Sequence, residues 1–189
     1  MIRATLAALF AATPVLAEPV AYTLDSAHSQ VVFTYEHLGF STTTGMFSGF
    51  EGEIMFDAEN PAASSVEVSM PTASMITGWQ PREEHFMTED FLDASENEAI
   101  RFASTRIEVT GEDTALITGD LTANGITQEV VLDAKLNQSG EHPMEGKPWL
   151  GFDATATILR SDFDAGAFAP MVSDEVEVMI SIEAMQADA

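Results

Sequence analysis

The sequence contains no cysteine. That absence excludes thiol catalysis, disulfide exchange, lipid attachment through a cysteine, and cysteine-ligated zinc or iron–sulfur centres. Positive charge is nearly as scarce: 7 lysine and arginine residues face 31 aspartate and glutamate residues, for a formal net charge of −24. Such a surface repels phosphate backbones and anionic headgroups, which argues against nucleic acid binding and electrostatic membrane docking. The acidic residues are spread along the chain, as on a heavily solvated surface. The sharper alternative is a docking face for a cationic protein partner. The apolar run Ala4–Ala12 falls well short of the ~20 residues a membrane helix needs, so no integral span is expected.

That run follows Arg3 and precedes Pro14, and Val15-Leu16-Ala17 supplies small residues ahead of Glu18. This is the pattern of a secretory signal peptide. The expected organisation is a signal peptide over residues 1–17 and one domain over residues 18–189. A domain of this size buries close to ~70% of its unfolded surface, so it needs neither disulfide nor metal to hold it together. An exported chain without disulfides fits a bacterial periplasm better than a disulfide-dense secreted scaffold.

What the sequence does have is period-two alternation, the mark of strands with one wet and one packed face. Tyr22–Phe56 holds two β-patterned runs joined by a small, polar, glycine-containing turn. Val31, Phe33, Tyr35 and His37 share a face of the first run, and Phe50, Ile54 and Phe56 a face of the second. Further strands are expected at Ser64–Pro71 and Ile100–Val109, and again at Trp149–Arg160 after a loop over Ser139–Pro148. In the last strand Val176, Val178, Ile180 and Ile182 face one way and Glu175, Glu177 and Glu183 the other. Ala115–Leu136 is centred on Asn124-Gly125, the strongest short hairpin signal, because both turn residues need positive φ. Gln80–Met87 reads as helical, with Pro81 in the first turn and acidic residues behind it. The expected architecture is all-β, an antiparallel barrel of about eight strands with a short helical insertion.

Several segments resemble the YceI-like family, in order along nearly the whole chain. They are Asp25-Ser26-Ala27-His28-Ser29-Gln30-Val31-Val32-Phe33, His37-Leu38-Gly39, Gly45-Met46-Phe47, Arg82-Glu83-Glu84-His85-Phe86 and Asp90-Phe91. Ile100-Arg101-Phe102-Ala103-Ser104, Gly119-Asp120-Leu121-Thr122, Gly125-Ile126-Thr127 and Arg160-Ser161-Asp162-Phe163 continue the series. The resemblance implies a periplasmic, extended lipocalin-like barrel that holds a long-chain isoprenoid or related amphiphile in an internal tunnel. Two departures stand out. Asp164 replaces the family's glycine after the Ser-Asp-aromatic triplet, and Trp79-Gln80-Pro81 replaces smaller polar residues.

The inward apolar residues expected to meet such a lipid are Phe33, Tyr35, Phe50, Ile54, Phe102, Leu121, Leu132, Phe152, Ile158, Val178 and Ile180. Phe47, Phe86, Phe91 and Phe163 join them from the family segments. The 10 methionines suit an irregular chain, because unbranched thioethers adapt their shape. By default an aromatic stripe is ordinary core; the resemblance raises the cavity reading above that. His37, Arg82 and His85 are the candidate headgroup residues. Their plain structural roles would be a buried imidazole on a carbonyl for His37 and a salt bridge for Arg82. No glycine loop that cradles phosphate is present, which favours an isoprenoid quinone or other neutral lipid over a pyrophosphate. No cofactor is expected beyond the bound lipid.

The reading is of a binding protein without catalysis. The enzymatic alternative is a hydrolase using carboxylates near Glu83, Glu84, Asp90 and Asp93, but in a chain this acidic such clusters arise by chance. Gly-x-Ser-x-Gly and His-Glu-x-x-His are absent. His28 with Asp25, Ser26 and Ser29 looks like a triad in sequence but is expected to tie down the turn before the first aromatic strand. The four histidines lack metal-ligand spacing. A homodimer is expected if the barrel mouth exposes an apolar rim.

Overall fold

The structure, a computed structural model, describes residues 18–188. The expected signal peptide lies outside the described residues. Ten strands form in the order β1 (Val20–Leu24), β2 (Gln30–His37), β3 (Ser41–Phe47), β4 (Glu51–Phe56), β5 (Ser65–Pro71), β6 (Ala99–Val109), β7 (Thr114–Ala123), β8 (Ile126–Glu141), β9 (Pro148–Leu159) and β10 (Glu175–Gln186). A short helix, α1 (Gln80–Phe86), sits between β5 and β6.

All pairings are antiparallel, and β1, β4, β5, β6, β7, β8, β9 and β10 close into a ring through the β1–β10 pair. On the same edge β10 meets β1 at Leu24↔Ala184 and β2 at Phe33↔Val178. Strands β1 and β2 therefore lie end to end as one bent strand, and β3 and β4 do the same beside them. The eight-stranded barrel expected from the sequence is present, with two of its staves interrupted.

The opening segment is more divided than its pattern suggests. Ser41–Phe47, expected as part of the polar turn, is strand β3, paired residue for residue with β2. Threonine is β-branched and suits a pleated edge, so Thr42, Thr43 and Thr44 extend the ladder although they carry no apolar alternation. Strand β8 likewise runs to Glu141, past the start of the expected loop at Ser139. The Asn124-Gly125 turn has φ of 48° and 71°, as its hairpin requires.

A register shift in β6 between Ser104 and Arg106 changes which residues face inward. Ile100 and Phe102 point into the barrel before it, and Ile107 and Val109 after it. A bulge inserts one unpaired residue and so reverses the alternation.

Two apolar clusters form inside the barrel. Tyr22, Leu24, Val31, Phe50, Ile54, Leu150 and Ala184 make up one, where Leu150 and Ala184 are fully buried. Phe33, Tyr35, Phe47, Met75, Ile100, Ala123, Phe163 and Val176 form the other, and Phe86 and Met87 at the end of α1 pack against it. Helix α1 thus caps one end of the barrel.

Candidate functional site: the barrel interior

Residues of both clusters line a hollow in the barrel. Its cavity gives the centre of a water-sized sphere about 350 Å³ to move in. The lining reaches from Ile100 to Val109 along β6, a span of about 30 Å at the rise of a strand. Side chains confirm the hollow. Leu132, Phe152, Ile158, Val178 and Ile180 face inward, yet each keeps part of its surface accessible. In a close-packed interior, side chains in these positions would be buried. Small residues on β8 and β9 make the room: Ala134 pairs with Ala154, and Ala156 follows on the same face.

Pro61, Val109, Gly111, Glu112 and Asp113 line the cavity and are exposed, so the barrel opens at the β6–β7 hairpin. The opposite end is closed. Phe86, Phe91, Leu92, Met75 and Phe163 cover it, and the rings of Phe86 and Phe91 meet edge to face at 4.9 Å.

Most side chains expected to meet the ligand line this cavity: Phe33, Tyr35, Phe47, Phe50, Ile54, Phe86, Phe91, Phe102, Leu121, Leu132, Phe152, Ile158, Phe163, Val178 and Ile180. His37, Arg82 and His85, expected at the headgroup, do not. His37 is exposed at the end of β2, where Leu38 turns the chain away with φ of 55°. Arg82 lies over the Trp79 ring, 5.7 Å from its centroid, and its Nη1 donates to Thr77 O at 3.4 Å. His85 packs edge-on against Phe91 and stands 3.7 Å from the Asp90 carboxylate, half-exposed.

The acidic residues of the enzymatic alternative are separated and occupied. Glu83 Oε1 accepts the N–H groups of Thr77 at 2.6 Å and Gly78 at 3.0 Å. These bonds, the Thr77 N–H foremost, hold its carboxyl below the ordinary value. Glu84 accepts from Gln80 Nε2 at 2.7 Å, and Asp90 faces His85. None of the three lines the cavity.

Arg160 is one of the lining residues that sequence reasoning passed over as a ligand contact. It begins the 3-10 turn after β9, and its guanidinium gathers the loop back to β10. Nε donates to Ser173 O at 2.9 Å, Nη1 to Ala165 O at 2.6 Å and Ala167 O at 3.2 Å, and Nη2 to Val172 O at 3.0 Å. Burial pushes its pKa down, opposed by the charge of Asp174 and by Tyr35; an arginine stays protonated regardless. Asp164 ends the turn in the left-handed region at φ 54°. The residue that departs from the family's glycine thus keeps a glycine-like backbone, which aspartate tolerates better than most.

The fold also assembles Asp25, His28 and Glu183, whose ligand atoms lie within 4.8 Å of one another. His28 Nδ1 meets Asp25 Oδ2 at 2.6 Å, Ser29 Oγ donates to Asp25 O at 2.7 Å, and Glu183 accepts from Trp149 Nε1 at 3.1 Å. This group pins the β1–β2 turn to β10 and β9, far in sequence but adjacent in the ring.

Comparison with known proteins agrees with this architecture. The chain is 42% identical over 159 residues to the UPF0312 protein of Ectopseudomonas mendocina, covering 84% of this chain and 83% of that one. The crystal structure of Burkholderia cenocepacia BcnA superposes with a TM-score of 0.76 at 25% identity, covering 85% of this chain and 98% of BcnA. A polyisoprenoid binding domain from Saccharophagus degradans, implicated in plant cell wall breakdown, superposes at 0.70 with 13% identity over 89% of this chain and 99% of that domain. At that identity the likeness is one of fold. Residues 22–184 match the YceI-like domain, and the chain therefore belongs to the YceI-like family.

Proposed function

We propose that this protein binds a long-chain isoprenoid lipid, an isoprenoid quinone or other polyprenyl lipid, inside its barrel and carries or sequesters it in the periplasm without chemical change. The observation that supports this reading is a long, open-ended, hydrocarbon-walled cavity in a closed barrel. The matched family is a binding-protein fold, and one fold neighbour is a polyisoprenoid binding domain.

The energetics suit a carrier. Burying a tail from water gains about 0.8 kcal/mol per CH₂. Donor and acceptor are bilayers, where the tail is already buried, so its transfer is nearly isoenergetic and release stays accessible. Ligand choice then falls to shape and to the few polar groups in the wall.

The test is transfer from vesicles. Delipidated protein is mixed with phosphatidylcholine vesicles carrying a long-tailed prenyl quinone or a polyprenol, and the vesicles are removed by flotation. Saturable, near-stoichiometric prenyl lipid left with the protein supports the proposal. No lipid above a non-binding control protein refutes it.

A further inference from the structure

The closed end of the cavity contains a hydrogen-bond donor with nothing to donate to. Tyr35 is 7% exposed, lines the cavity, and its hydroxyl has no partner among the described residues. The hydroxyl is not sealed in protein either, since no fully buried polar atom lacks a partner among those residues. It faces cavity space. Its ring is fixed by Phe33, stacked at 6.5 Å and 15°, and by Phe86, edge-on at 5.9 Å. A phenol enclosed in an apolar site ordinarily finds an acceptor.

Arg160 lines the same cavity, beside Phe163, Ala165 and Val172. Four of its N–H groups are engaged by backbone carbonyls. A guanidinium has five, so Nη2 has one left. Among the described residues, no carboxylate comes within ion-pair distance of it. The cavity wall therefore carries two donors with unused capacity, a phenolic O–H and a single guanidinium N–H, among mostly apolar neighbours.

We propose that Tyr35, supported by Arg160, is the head-end donor of the cavity: it binds a neutral acceptor oxygen of the lipid and so distinguishes an oxygenated prenyl lipid from a hydrocarbon of equal length. The inference rests on the lipid-binding reading above. A neutral carbonyl fits better than a phosphate, because an anion with several oxygens would meet only these two donors. The head then lies under α1 and the tail runs toward the β6–β7 mouth, where Glu112 and Asp113 would repel an anionic head.

Tyr35→Phe tests this with three probes of matched tail: a prenyl quinone, a polyprenyl phosphate and an all-hydrocarbon polyprene, each competed for binding to the full mature protein. The substitution keeps the ring packing, so the ligand-free thermal midpoint should not fall. The wild type should prefer quinone over hydrocarbon, and Tyr35→Phe should reduce that preference by about tenfold, with hydrocarbon binding unchanged. An unchanged preference in a variant that still binds both overturns the role of Tyr35. Stronger binding of the phosphate than of the quinone overturns the neutral-oxygen assignment. A wild type that binds none of the three refutes the lipid-binding reading itself.

Discussion

The Phe33 ring lies over the backbone of Gly45, its cross-strand partner on β3, and fills the place a β-carbon would take there. The same device recurs where the Phe102 ring covers Gly119 on β7. In both cases a wall aromatic lies flat against the sheet because the neighbouring strand has no side chain. The glycines are therefore part of what keeps the interior open.

Alanine at the two glycines should have different consequences. At Gly45 the obstruction is the tip of the Phe33 ring, which can swing into the cavity. Gly45→Ala should thus lower lipid uptake while costing little stability. At Gly119 the added carbon also meets the Ala103 carbonyl at 2.6 Å, a backbone atom that cannot swing away. Gly119→Ala should cost about 1–3 kcal/mol in urea denaturation. Equal losses of stability at both sites would contradict this.

Ala156→Leu separates an open cavity from a packed core. Extra methylenes in a filled interior cost about 1–3 kcal/mol, whereas in vacant space they add apolar contacts. The variant should be at least as stable as the wild type and should bind less prenyl lipid. A clear drop in the urea midpoint would mean the space around Ala156 is already filled.

Arg160→Gln should destabilise by about 2–3 kcal/mol, because it leaves several enclosed carbonyls without their charged donor. Arg160→Lys should restore only part of that loss, since an ammonium cannot span the carbonyls of Ala165, Ala167, Val172 and Ser173 together. Chemical denaturation with the three proteins side by side measures it.

The Asp25–His28 pair gives a pH signature. Its hydrogen bond to Asp25 raises the His28 pKa above 6.5, and the same bond lowers that of Asp25 below 3.8. The histidine's contribution is present in full below its unfolded pKa and is lost as pH rises through the raised folded value. The aspartate's contribution is present above its unfolded pKa and is lost as pH falls through the depressed folded one. The stability difference between wild type and His28→Gln should therefore be larger near about pH 5 than near about pH 8. A difference that does not change with pH would mean the pair is not formed in solution.

The sequence was most legible where alternation and turn chemistry agree. Strands β7 to β10 show clean apolar alternation, Asn124-Gly125 marks its own hairpin, and Pro81 with its acids marks α1. Strand β3 was hidden because only Phe47 among its inward positions is large and apolar; the others are Ser41, Thr43 and Gly45, with Phe33 supplying the apolar cover over Gly45 from next door. The headgroup candidate His37 falls outside the cavity lining for a related reason. Alternation places His37 on the same face as Tyr35, but the strand leaves the barrel at Leu38, so the face no longer points inward. Arg160 was read only as part of a family motif; that it faces the cavity depends on a loop folding back from residues 165–173, which no local pattern encodes.

The most direct measurement of the central claim is native mass spectrometry of the protein isolated from the cells that produce it, followed by solvent extraction of whatever it carries. The account predicts a one-to-one complex whose extracted ligand is a long-chain prenyl lipid with a neutral oxygenated head. A protein recovered only at its apo mass, and that takes up neither added prenyl quinone nor polyprenol, would contradict it.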